Sequence, residues 1–458
     1  MGSFGQARAA VNLPETMKAL SRRLFLAASA AAAARPVLAA PAPQPDVDVV
    51  IVGAGAAGIA AARRIAPTGR RLAFLEASDR AGGRCFTETR TFGIPYDRGA
   101  HWIHMPDLNP VAKLAVKTGL DIYPAPPGQR LRVGLRNARE GEMEDFLASL
   151  VRCNRAIYDA ARGKADVSCA QALPKDLGDW RPTMEFVLGP FGCGKALSEI
   201  SAVDFAKSAE RDVDAFCRQG LGTLLGKLAA GLPIQLSTPV TRILWDAKLV
   251  EVEMPTGVLR ARTAIVTAST GVLASGKIKF QPGLPKRYVE AIGKLGLGSY
   301  DHVAIEFGGN PLGLQCDDLV FEKATGGRTA ALLANVSGSR LCLVDVAGKL
   351  GAGLAEEGEA AMVAFALDWL AGLFGSEVKQ AVKRTHATRW NKEPWALGAF
   401  SAASPGGQWA RKALSEPLDE HIWFAGEAVH ETLWGTVGGA WEAGERAAEA
   451  ALKRLGKK

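Results

Sequence analysis

The chain has 458 residues, with 48% hydrophobic residues, 22% charged residues and a formal net charge of +8 at pH 7. This length exceeds one ordinary hydrophobic core and predicts two domains, and the apolar content is typical of a soluble globular protein. The positive charge is modest for the length, and no basic stripe with interleaved aromatic residues occurs, so nucleic acid is not expected as a partner.

In chain order, the first 45 residues predict an export signal followed by a linker. Ser21-Arg22-Arg23-Leu24-Phe25 precedes a short alanine-rich run and a proline-containing spacer. Paired arginines before a short, weakly apolar stretch and small residues are typical of twin-arginine signals. The apolar run is too short to span a bilayer. We therefore predict a periplasmic protein without stable membrane insertion, with an ordinary amphipathic N-terminal helix as the alternative.

Residues 49–58 predict a nucleotide-binding turn between a strand and a helix. Four β-branched residues form a short buried strand, and Gly53, Gly55 and Gly58 then lead into an alanine-rich helix. Gly53 permits the tight turn, Gly55 lets a pyrophosphate approach the backbone, and Gly58 allows the helix and strand to pack closely. The helix N-terminus offers free N–H groups and the positive end of a dipole to the phosphates.

Two further features support a bound dinucleotide and favour a flavin. A second predicted strand, residues 72–75, ends at Glu76, whose carboxylate suits the two hydroxyls of an adenosine ribose. The pair Gly82 and Gly83 allows backbone close to a cofactor, and Arg84 can reach a phosphate or the isoalloxazine edge. The strands, the helix and the acid predict a dinucleotide, and the second glycine pair with Arg84 suits a flavin better than a nicotinamide.

With these motifs in place, two longer stretches resemble the flavin-containing amine oxidase family, and most closely its polyamine oxidase branch. One runs from Asp97 to His104, followed by Asn109-Pro110, and the other runs from Phe424 to Arg446. The resemblance extends from about residue 46 to about residue 455. It implies that FAD is bound by Gly53, Gly55, Ala57, Gly58, Glu76, Gly82, Gly83, Arg84, Gly99, Ala100, His101, Trp102, Val240, Trp390, Gly426, Glu427, Thr436 and Val437.

The same resemblance implies a short list of residues at the reacting amine. His104 lies where polyamine oxidases place a side chain beside the substrate nitrogen, and a neutral imidazole there can accept a hydrogen bond. A structural loop histidine is the alternative. Phe400 matches one wall of the family's aromatic pair, whereas the facing position is Thr436. Trp434 lies nearby in the sequence and either replaces the lost wall or packs in the core.

Two positions depart from the family pattern. Ala399 stands where monoamine oxidases carry a cysteine bonded to the flavin, so FAD is expected to be noncovalent. His302 stands where the family carries a lysine that holds a water against flavin N5 and is associated with rapid reaction with oxygen. A histidine is only partly charged near neutral pH, so we expect His302 to be able to hold a water but to offer less charge to a developing superoxide.

These segments predict an α/β protein in which a doubly wound, Rossmann-like FAD-binding domain is interleaved with a substrate domain of mixed sheet and helices. The FAD-binding domain takes residues 46–104, 216–294 and 402–458, and the substrate domain takes 105–215 and 295–401. Hydrophobic periodicity predicts helices over 108–119, 143–163 and 354–374, a new helix from 219, and mostly helical structure over 182–215. Strands are predicted near residues 234–236, 240–245, 250–254, 263–267, 302–307, 319–322, 330–335, 341–346 and 387–390.

The seven cysteines are scattered, odd in number and without CxxC spacing. This distribution predicts neither a metal site nor a disulfide framework. One or two bridges remain open, with Cys153, Cys169 and Cys193 as the candidates, and buried thiols are the favoured interpretation.

The leading interpretation is FAD-dependent oxidation of a small amine, a polyamine or another secondary or primary amine. A hydride equivalent would leave the carbon next to nitrogen, and the resulting imine would hydrolyse to an aldehyde. The electrons would pass to O2 or, in a dehydrogenase, to a periplasmic acceptor such as a cytochrome. Less favoured alternatives are a flavoprotein desaturase or isomerase acting on an apolar carbon skeleton, and a noncatalytic FAD-binding scaffold. The sequence leaves the identity of the amine and the oligomeric state open.

Overall fold

The computed structural model describes residues 44–208, 213–245 and 248–456, so the predicted export signal lies outside the described residues. The strands are β1 (Val47–Val52), β2 (Leu72–Leu75), β3 (Thr87–Glu88), β4 (Tyr96–Asp97), β5 (Ile103–His104), β6 (Ile122–Pro124), β7 (Arg130–Val133), β8 (Arg136–Asn137), β9 (Asp214–Cys217), β10 (Ile234–Gln235), β11 (Arg242–Leu244), β12 (Val250–Met254), β13 (Gly257–Val266), β14 (Lys279–Gln281), β15 (Tyr300–Phe307), β16 (Leu319–Glu322), β17 (Ala331–Leu333), β18 (Leu341–Ala347), β19 (Val382–Ala387) and β20 (Ile422–Phe424).

The α-helices are α1 (Ala56–Ile65), α2 (Pro110–Thr118), α3 (Glu140–Ala161), α4 (Cys169–Ala172), α5 (Arg181–Phe186), α6 (Ala202–Lys207), α7 (Leu221–Ala229), α8 (Thr270–Ala274), α9 (Lys286–Lys294), α10 (Gly348–Glu357), α11 (Glu359–Phe374), α12 (Trp409–Ser415) and α13 (Val437–Leu455). Short helical turns occupy Ala66–Thr68, Gly178–Trp180, Val187–Phe191, Leu197–Glu199, Val336–Gly338, Ser376–Ala381, Trp390–Lys392 and Glu427–Val429.

The first sheet has eight strands in the order β10-β2-β1-β13-β12-β11-β14, with β20 paired to β13. Strands β10, β2, β1, β13 and β20 are joined by parallel pairings. Strand β1 lies between two parallel neighbours and is buried from Asp48 onward, which is why its sequence is a continuous β-branched run rather than an alternating one. The predicted α/β fold with parallel pairing at the glycine-rich turn is confirmed.

Helices α1 and α13 pack against each other beside this sheet. A Cβ atom on Gly444 of α13 would lie 2.0 Å from the carbonyl oxygen of Ala57 in α1, so only glycine permits the observed approach of the two helices. The contact brings the last helix of the chain to the first glycine-rich turn. It thereby joins two segments that lie almost 400 positions apart in the sequence.

The second sheet has seven strands in the order β19-β15-β18-β17-β16-β7-β8. Helix α11 buries Met362, Phe365 and Trp369 in the hydrophobic core of this sheet. The predicted single helix over 354–374 is wrong in one respect, because Gly358 separates α10 from α11. Gly358 has a φ angle of 108°, a conformation that glycine adopts readily and that ends a helix.

Two other elements differ from the sequence-based predictions. The strand expected near 387–390 ends at residue 387, as β19, because the backbone N–H of Trp390 donates to the Asp301 carboxylate at 2.8 Å instead of extending the sheet. The mostly helical stretch 182–215 ends in β9, which lies between β5 and β6 in a small three-stranded sheet. The boundaries of the two interleaved domains stay predictions.

The structure also bears on the predictions about disulfide bridges and membrane insertion. Cys153 and Cys169 are buried thiols, so no bridge joins any two of Cys153, Cys169 and Cys193. Burial raises the pKa of Cys153 to about 11 and that of Cys85 to about 12, which makes both thiols poor nucleophiles. Within residues 44–208, 213–245 and 248–456, no helix is both long and apolar enough to cross a membrane.

Candidate active site

A cavity of about 750 Å³ runs from the glycine-rich turn after β1 to the loops around His104 and Phe400. Every residue predicted to bind FAD lines it, with the exception of Gly58. Gly58 was expected to act by packing, and it does: a Cβ atom there would lie 1.9 Å from the Gly53 carbonyl oxygen and 3.1 Å from the Phe74 ring. The first two glycines of the fingerprint, by contrast, face the cavity.

The turn itself has the geometry that a pyrophosphate needs. Gly53 has a φ angle of 102°, and a Cβ atom there would lie 2.5 Å from Oγ1 of Thr267. Gly55 is the residue before α1, and a Cβ atom there would meet no neighbouring atom of the described residues within 4 Å. The open space beside Gly55, at the N-terminus of a ten-residue helix, is where a phosphate can approach backbone N–H groups.

Glu76 is buried at the cavity wall directly after β2 and is held in place by two residues. The Ala54 N–H donates to Oε2 at 2.6 Å, and the Ser78 N–H and hydroxyl donate to Oε1 at 2.8 and 2.7 Å. A carboxylate accepts about four hydrogen bonds, so Glu76 retains capacity for ligand hydroxyls. The predicted role of Glu76 therefore fits its surroundings.

Arg84 and Glu427 form a partly buried ion pair that joins the N-terminal nucleotide-binding segment to the C-terminal stretch. Nη1 of Arg84 lies 2.8 Å from Oε1 of Glu427 and 2.6 Å from the Ala399 carbonyl oxygen. Burial would raise the pKa of Glu427, but the charge of Arg84 and hydrogen bonds from Ser401 and Arg84 hold it below its usual value. Glu427 therefore stays ionised and fixes Arg84, which leaves less of the guanidinium for a ligand phosphate than the sequence suggested.

The C-terminal helix supplies a second N-terminus at the cavity. Thr436 caps α13: its hydroxyl accepts from the Gly439 N–H at 2.9 Å and donates to the Leu433 carbonyl at 2.7 Å. Thr436 and Val437 line the cavity, so the N–H groups of the first turn and the positive end of the helix dipole lie at its wall. With its hydroxyl committed to the cap, Thr436 contributes backbone and shape rather than a free proton donor.

Taken together, the residues fit FAD. The cavity offers an open glycine at one helix N-terminus, a buried acid, a second helix N-terminus and a buried Nε2 atom on His101 without a protein partner in the described chain. His101 is held by Asp97 at 2.9 Å and stacks on Phe216 at 4.6 Å between ring centroids. The fingerprint turn, Glu76 and the start of α13 would hold the dinucleotide.

His104 lies on the cavity wall and is paired with Asp214. Nδ1 of His104 is 2.7 Å from Oδ1 of Asp214, and the two side chains are 25% and 21% exposed. Asn109 donates from its side chain to the His104 carbonyl at 3.1 Å and also caps α2. A hydrogen-bonded acid and a half-buried imidazole at a cavity wall form an arrangement that can accept a proton from a ligand.

His302 lies on the cavity wall, but its environment corrects the sequence-based expectation. Nδ1 is 2.6 Å from Oδ1 of Asp345 and Nε2 is 3.0 Å from the Gly99 carbonyl oxygen. Both ring nitrogens face acceptors, so neither is left to hold a water, and that prediction is wrong. Burial lowers the pKa of His302, but the charge of Asp345 and the hydrogen bonds to Asp345 and Gly99 together raise it above its usual value.

The aromatic wall also differs from the expectation. Of the two alternatives for Trp434, the structure has core packing: the side chain is 1% exposed and lies in the core with the Arg411 guanidinium 4.8 Å from its ring. Tyr300 lines the cavity instead, with its ring centroid 5.8 Å from that of Phe400. Its hydroxyl donates to Oδ2 of Asp345 at 2.8 Å.

Sequence reasoning missed Tyr300, Asp345 and Asp214. A usable signal existed for Tyr300, because it precedes His302 by two positions on β15 and alternation places both side chains on one face. The positions of Asp345 and Asp214 depend on pairing between strands that are far apart in the sequence. Asp345 lies opposite His302, and Asp214 lies opposite His104. A single sequence carries no direct sign of those registers.

Comparison with known proteins decides the family. The family model described as flavin containing amine oxidoreductase matches residues 56–452. The chain belongs to this family. The family's description names a flavin, which agrees with the predicted FAD.

Named relatives are similar to this chain in sequence or in fold over most of its length. The lysine-specific histone demethylase 2 of Homo sapiens is 26% identical over 428 residues, which are 86% of this chain and 52% of that protein. The probable polyamine oxidase 4 of Arabidopsis thaliana is 27% identical over 441 residues, 86% of this chain and 84% of that protein. The chain thus spans about half the length of the histone demethylases it matches. The cyclohexylamine oxidase from Brevibacterium oxydans IH-35A has the same fold, with a TM-score of 0.75 and 23% identity over 90% of this chain and 100% of that one.

Proposed function

We propose that the protein oxidises a small amine, a polyamine or another secondary or primary amine, at the carbon next to nitrogen, to an imine that hydrolyses to an aldehyde. Bound FAD would accept the hydride equivalent. The observation that carries the proposal is that one cavity holds both the dinucleotide fingerprint and the His104–Asp214 pair. Support also comes from relatives named as polyamine oxidases that match this chain over most of their length.

The side chains of the protein position the substrate, exclude water from it and accept a proton from its nitrogen. An amine must be neutral to react, because an ammonium has no lone pair to help expel a hydride. His104 accepts a hydrogen bond or proton from the substrate nitrogen, while the rings of Tyr300 and Phe400 exclude water and hold the carbon chain. Few strong acids or bases are needed, which agrees with the largely apolar and aromatic wall.

The proposal includes noncovalent FAD. Ala399 lines the cavity, its carbonyl oxygen accepts from Arg84, and its side chain is a methyl group that cannot form a thioether. Cys85 also lines the cavity, but burial raises the pKa of its thiol to about 12, so it is a poor nucleophile for a flavin bond.

The charge of the His302–Asp345 pair bears on whether oxygen or another molecule accepts the electrons. Because Asp345 cancels the charge of the imidazolium and both ring nitrogens are committed, the pair offers no uncompensated cation to a developing superoxide. We therefore favour an acceptor other than oxygen, such as a periplasmic electron carrier, with an oxidase as the second candidate. The variant His302→Lys/Asp345→Asn places an unpaired cation there and should speed reoxidation by oxygen, whereas His302→Lys alone should change it little. Equal oxygen rates in the two variants would remove this argument.

The proposed location is the periplasm, reached by the twin-arginine route, on the strength of Arg22 and Arg23. That route carries folded proteins, which suits a protein that must fold around FAD before export.

Anaerobic mixing of the FAD-loaded protein with a panel of amines tests the proposed reaction. Polyamines, diamines and simple primary amines should bleach the flavin, and apolar compounds with an oxidisable carbon–carbon bond should not. Bleaching by the apolar compounds alone would favour the desaturase alternative. A flavin that no compound reduces would favour the noncatalytic alternative.

A further inference from the structure

Asp214 is a cavity residue outside the sequence-based predictions. It is the first residue of β9, which pairs antiparallel with β5, and the register places it directly opposite His104. Side chains opposite each other on an antiparallel pair share one face, and here Nδ1 and Oδ1 come within 2.7 Å. We propose that Asp214 is a positioning residue that fixes the orientation and tautomer of His104 for an amine substrate. This inference rests on the proposed function of His104.

The tautomer follows from the hydrogen bond. An ionised carboxylate only accepts, so Nδ1 of His104 carries the proton and the lone pair of the neutral ring lies on Nε2. Across the described ranges, no protein group makes a hydrogen bond to Nε2 of His104. The nitrogen that can accept from a substrate is thus the one that the protein leaves unused.

The negative charge of the His104–Asp214 pair also affects which form of the amine binds. With a neutral ring, the His104–Asp214 pair carries one negative charge at a cavity wall, which favours a substrate that arrives as an ammonium ion. The N–H bond of the ammonium breaks and an Nε2–H bond forms, which leaves a neutral amine and an imidazolium. The Asp214 carboxylate beside Nδ1 stabilises that imidazolium, so the proton has an acceptor within the cavity.

The backbone around the pair does not depend on the Asp214 carboxylate. The Asp214 carbonyl accepts from the Ala125 N–H at 2.9 Å, and the His104 carbonyl accepts from the Asn109 side chain at 3.1 Å. These bonds hold the strand and the loop after His104 whichever side chain occupies position 214. Substitution of Asp214 therefore tests the position of the ring rather than the fold of the small sheet.

Three variants of the FAD-loaded protein test the inference. Asp214→Ala removes the acceptor for Nδ1–H, and Asp214→Asn keeps an oxygen acceptor but removes the charge. Asp121→Asn is the matched control, because Asp121 is a half-exposed acid beside the same small sheet, paired with Arg218 at 2.7 Å outside the cavity. Anaerobic stopped-flow reduction by amine measures the limiting rate and the apparent dissociation constant separately.

We expect Asp214→Ala to lower the limiting rate of reduction by roughly tenfold or more, because the base is no longer oriented. Asp214→Asn should retain more of the limiting rate but bind the cationic amine more weakly, and Asp121→Asn should match the wild type. Nitrogen NMR of histidine-labelled protein should show His104 protonated at Nδ1 in the wild type and in Asp214→Asn. In Asp214→Ala it should show a mixture of tautomers.

Several outcomes separate this inference from the proposed function. If His104→Ala is slow while Asp214→Ala reacts as the wild type does, Asp214 has no positioning role and the proposed function stands. If no amine reduces the wild-type flavin, the proposed function fails, and the tautomer comparison alone decides whether Asp214 orients the ring. If Asp214→Ala does not fold, Asp214→Leu removes the acceptor with a side chain of similar shape, and a wild-type limiting rate with His104 still protonated at Nδ1 in that variant overturns the inference.

Discussion

The charge state of the His302–Asp345 pair gives a quantitative prediction. Both ring nitrogens of His302 face acceptors, at 2.6 Å in Asp345 and 3.0 Å in Gly99, so the ionised pair carries a proton on each nitrogen. Asp345→Asn supplies an amide that can donate to Nδ1 of a neutral ring and still accept from the Tyr300 hydroxyl. Asp345→Ala leaves Nδ1 and the Tyr300 hydroxyl without their present partner.

The size of the expected pH dependence of the free energy of unfolding follows from the linkage between proton binding and folding. Burial alone would lower the pKa of His302, but Asp345 and the Gly99 carbonyl raise it, so the folded-state pKa exceeds the unfolded value of about 6.5. The stabilisation by the pair is fully present below about pH 6.5 and is lost as the pH rises through the folded-state pKa. Between those two values the folded state holds one more proton. The free energy of unfolding then falls by about 1.4 kcal/mol per pH unit relative to Asp345→Asn.

Denaturant-induced unfolding of the FAD-loaded wild type, Asp345→Asn and Asp345→Ala across about pH 5.5 to 9 measures these differences, because other titrations largely cancel between the variants. At the acid end Asp345→Ala should cost about 3–5 kcal/mol, since it removes one partner of a buried ion pair and leaves Nδ1 of His302 and the Tyr300 hydroxyl without their acceptor. Asp345→Asn should cost less. A difference between wild type and Asp345→Asn that stays constant over this pH range would refute the ionised pair. An acceptor other than oxygen would then have no support from the charge of this pair.

Three further predictions concern the cofactor, the export signal and the base. Denaturation in acid should release intact FAD into the supernatant, because Ala399 offers no thiol, and flavin that stays in the protein pellet would contradict this. Changing Arg22 and Arg23 to Lys should keep the FAD-loaded protein in the cytoplasm, as fractionation would show, whereas unchanged periplasmic activity would mean that the signal was misinterpreted. His104→Ala should slow anaerobic flavin reduction roughly a hundredfold while FAD stays bound, and a change below about threefold would place His104 in a structural role.

The fold was largely predictable because its main signals are local. The strand before the fingerprint, Val47–Val52, and the second strand, Leu72–Leu75, follow from β-branched and apolar runs next to glycine. The errors in helix and strand bounds arose where a single residue interrupts an element that the hydrophobic periodicity predicts. Gly358 divides a helical pattern by its backbone conformation, and the Asp301 carboxylate takes the Trp390 N–H that a longer strand would have used.

The site was predictable in its nucleotide half and less so in its substrate half. Fingerprint glycines and Glu76 lie within one short unit, so spacing alone brings them together. Trp434 lies close to Thr436 in sequence but turns into the core, because neighbours on a loop need not share a side. The partners of His104 and His302 come from strands tens to more than a hundred positions away, and their registers depend on the packed sheets.

The central claim is that this cavity oxidises an amine at the carbon beside nitrogen. The most direct measurement is a stoichiometric anaerobic titration of the FAD-loaded protein with a polyamine, in which flavin absorbance and aldehyde product are followed together. We expect one amine to bleach one flavin and to yield one aldehyde. A flavin that every amine leaves oxidised, although a chemical reductant bleaches it, would contradict the account.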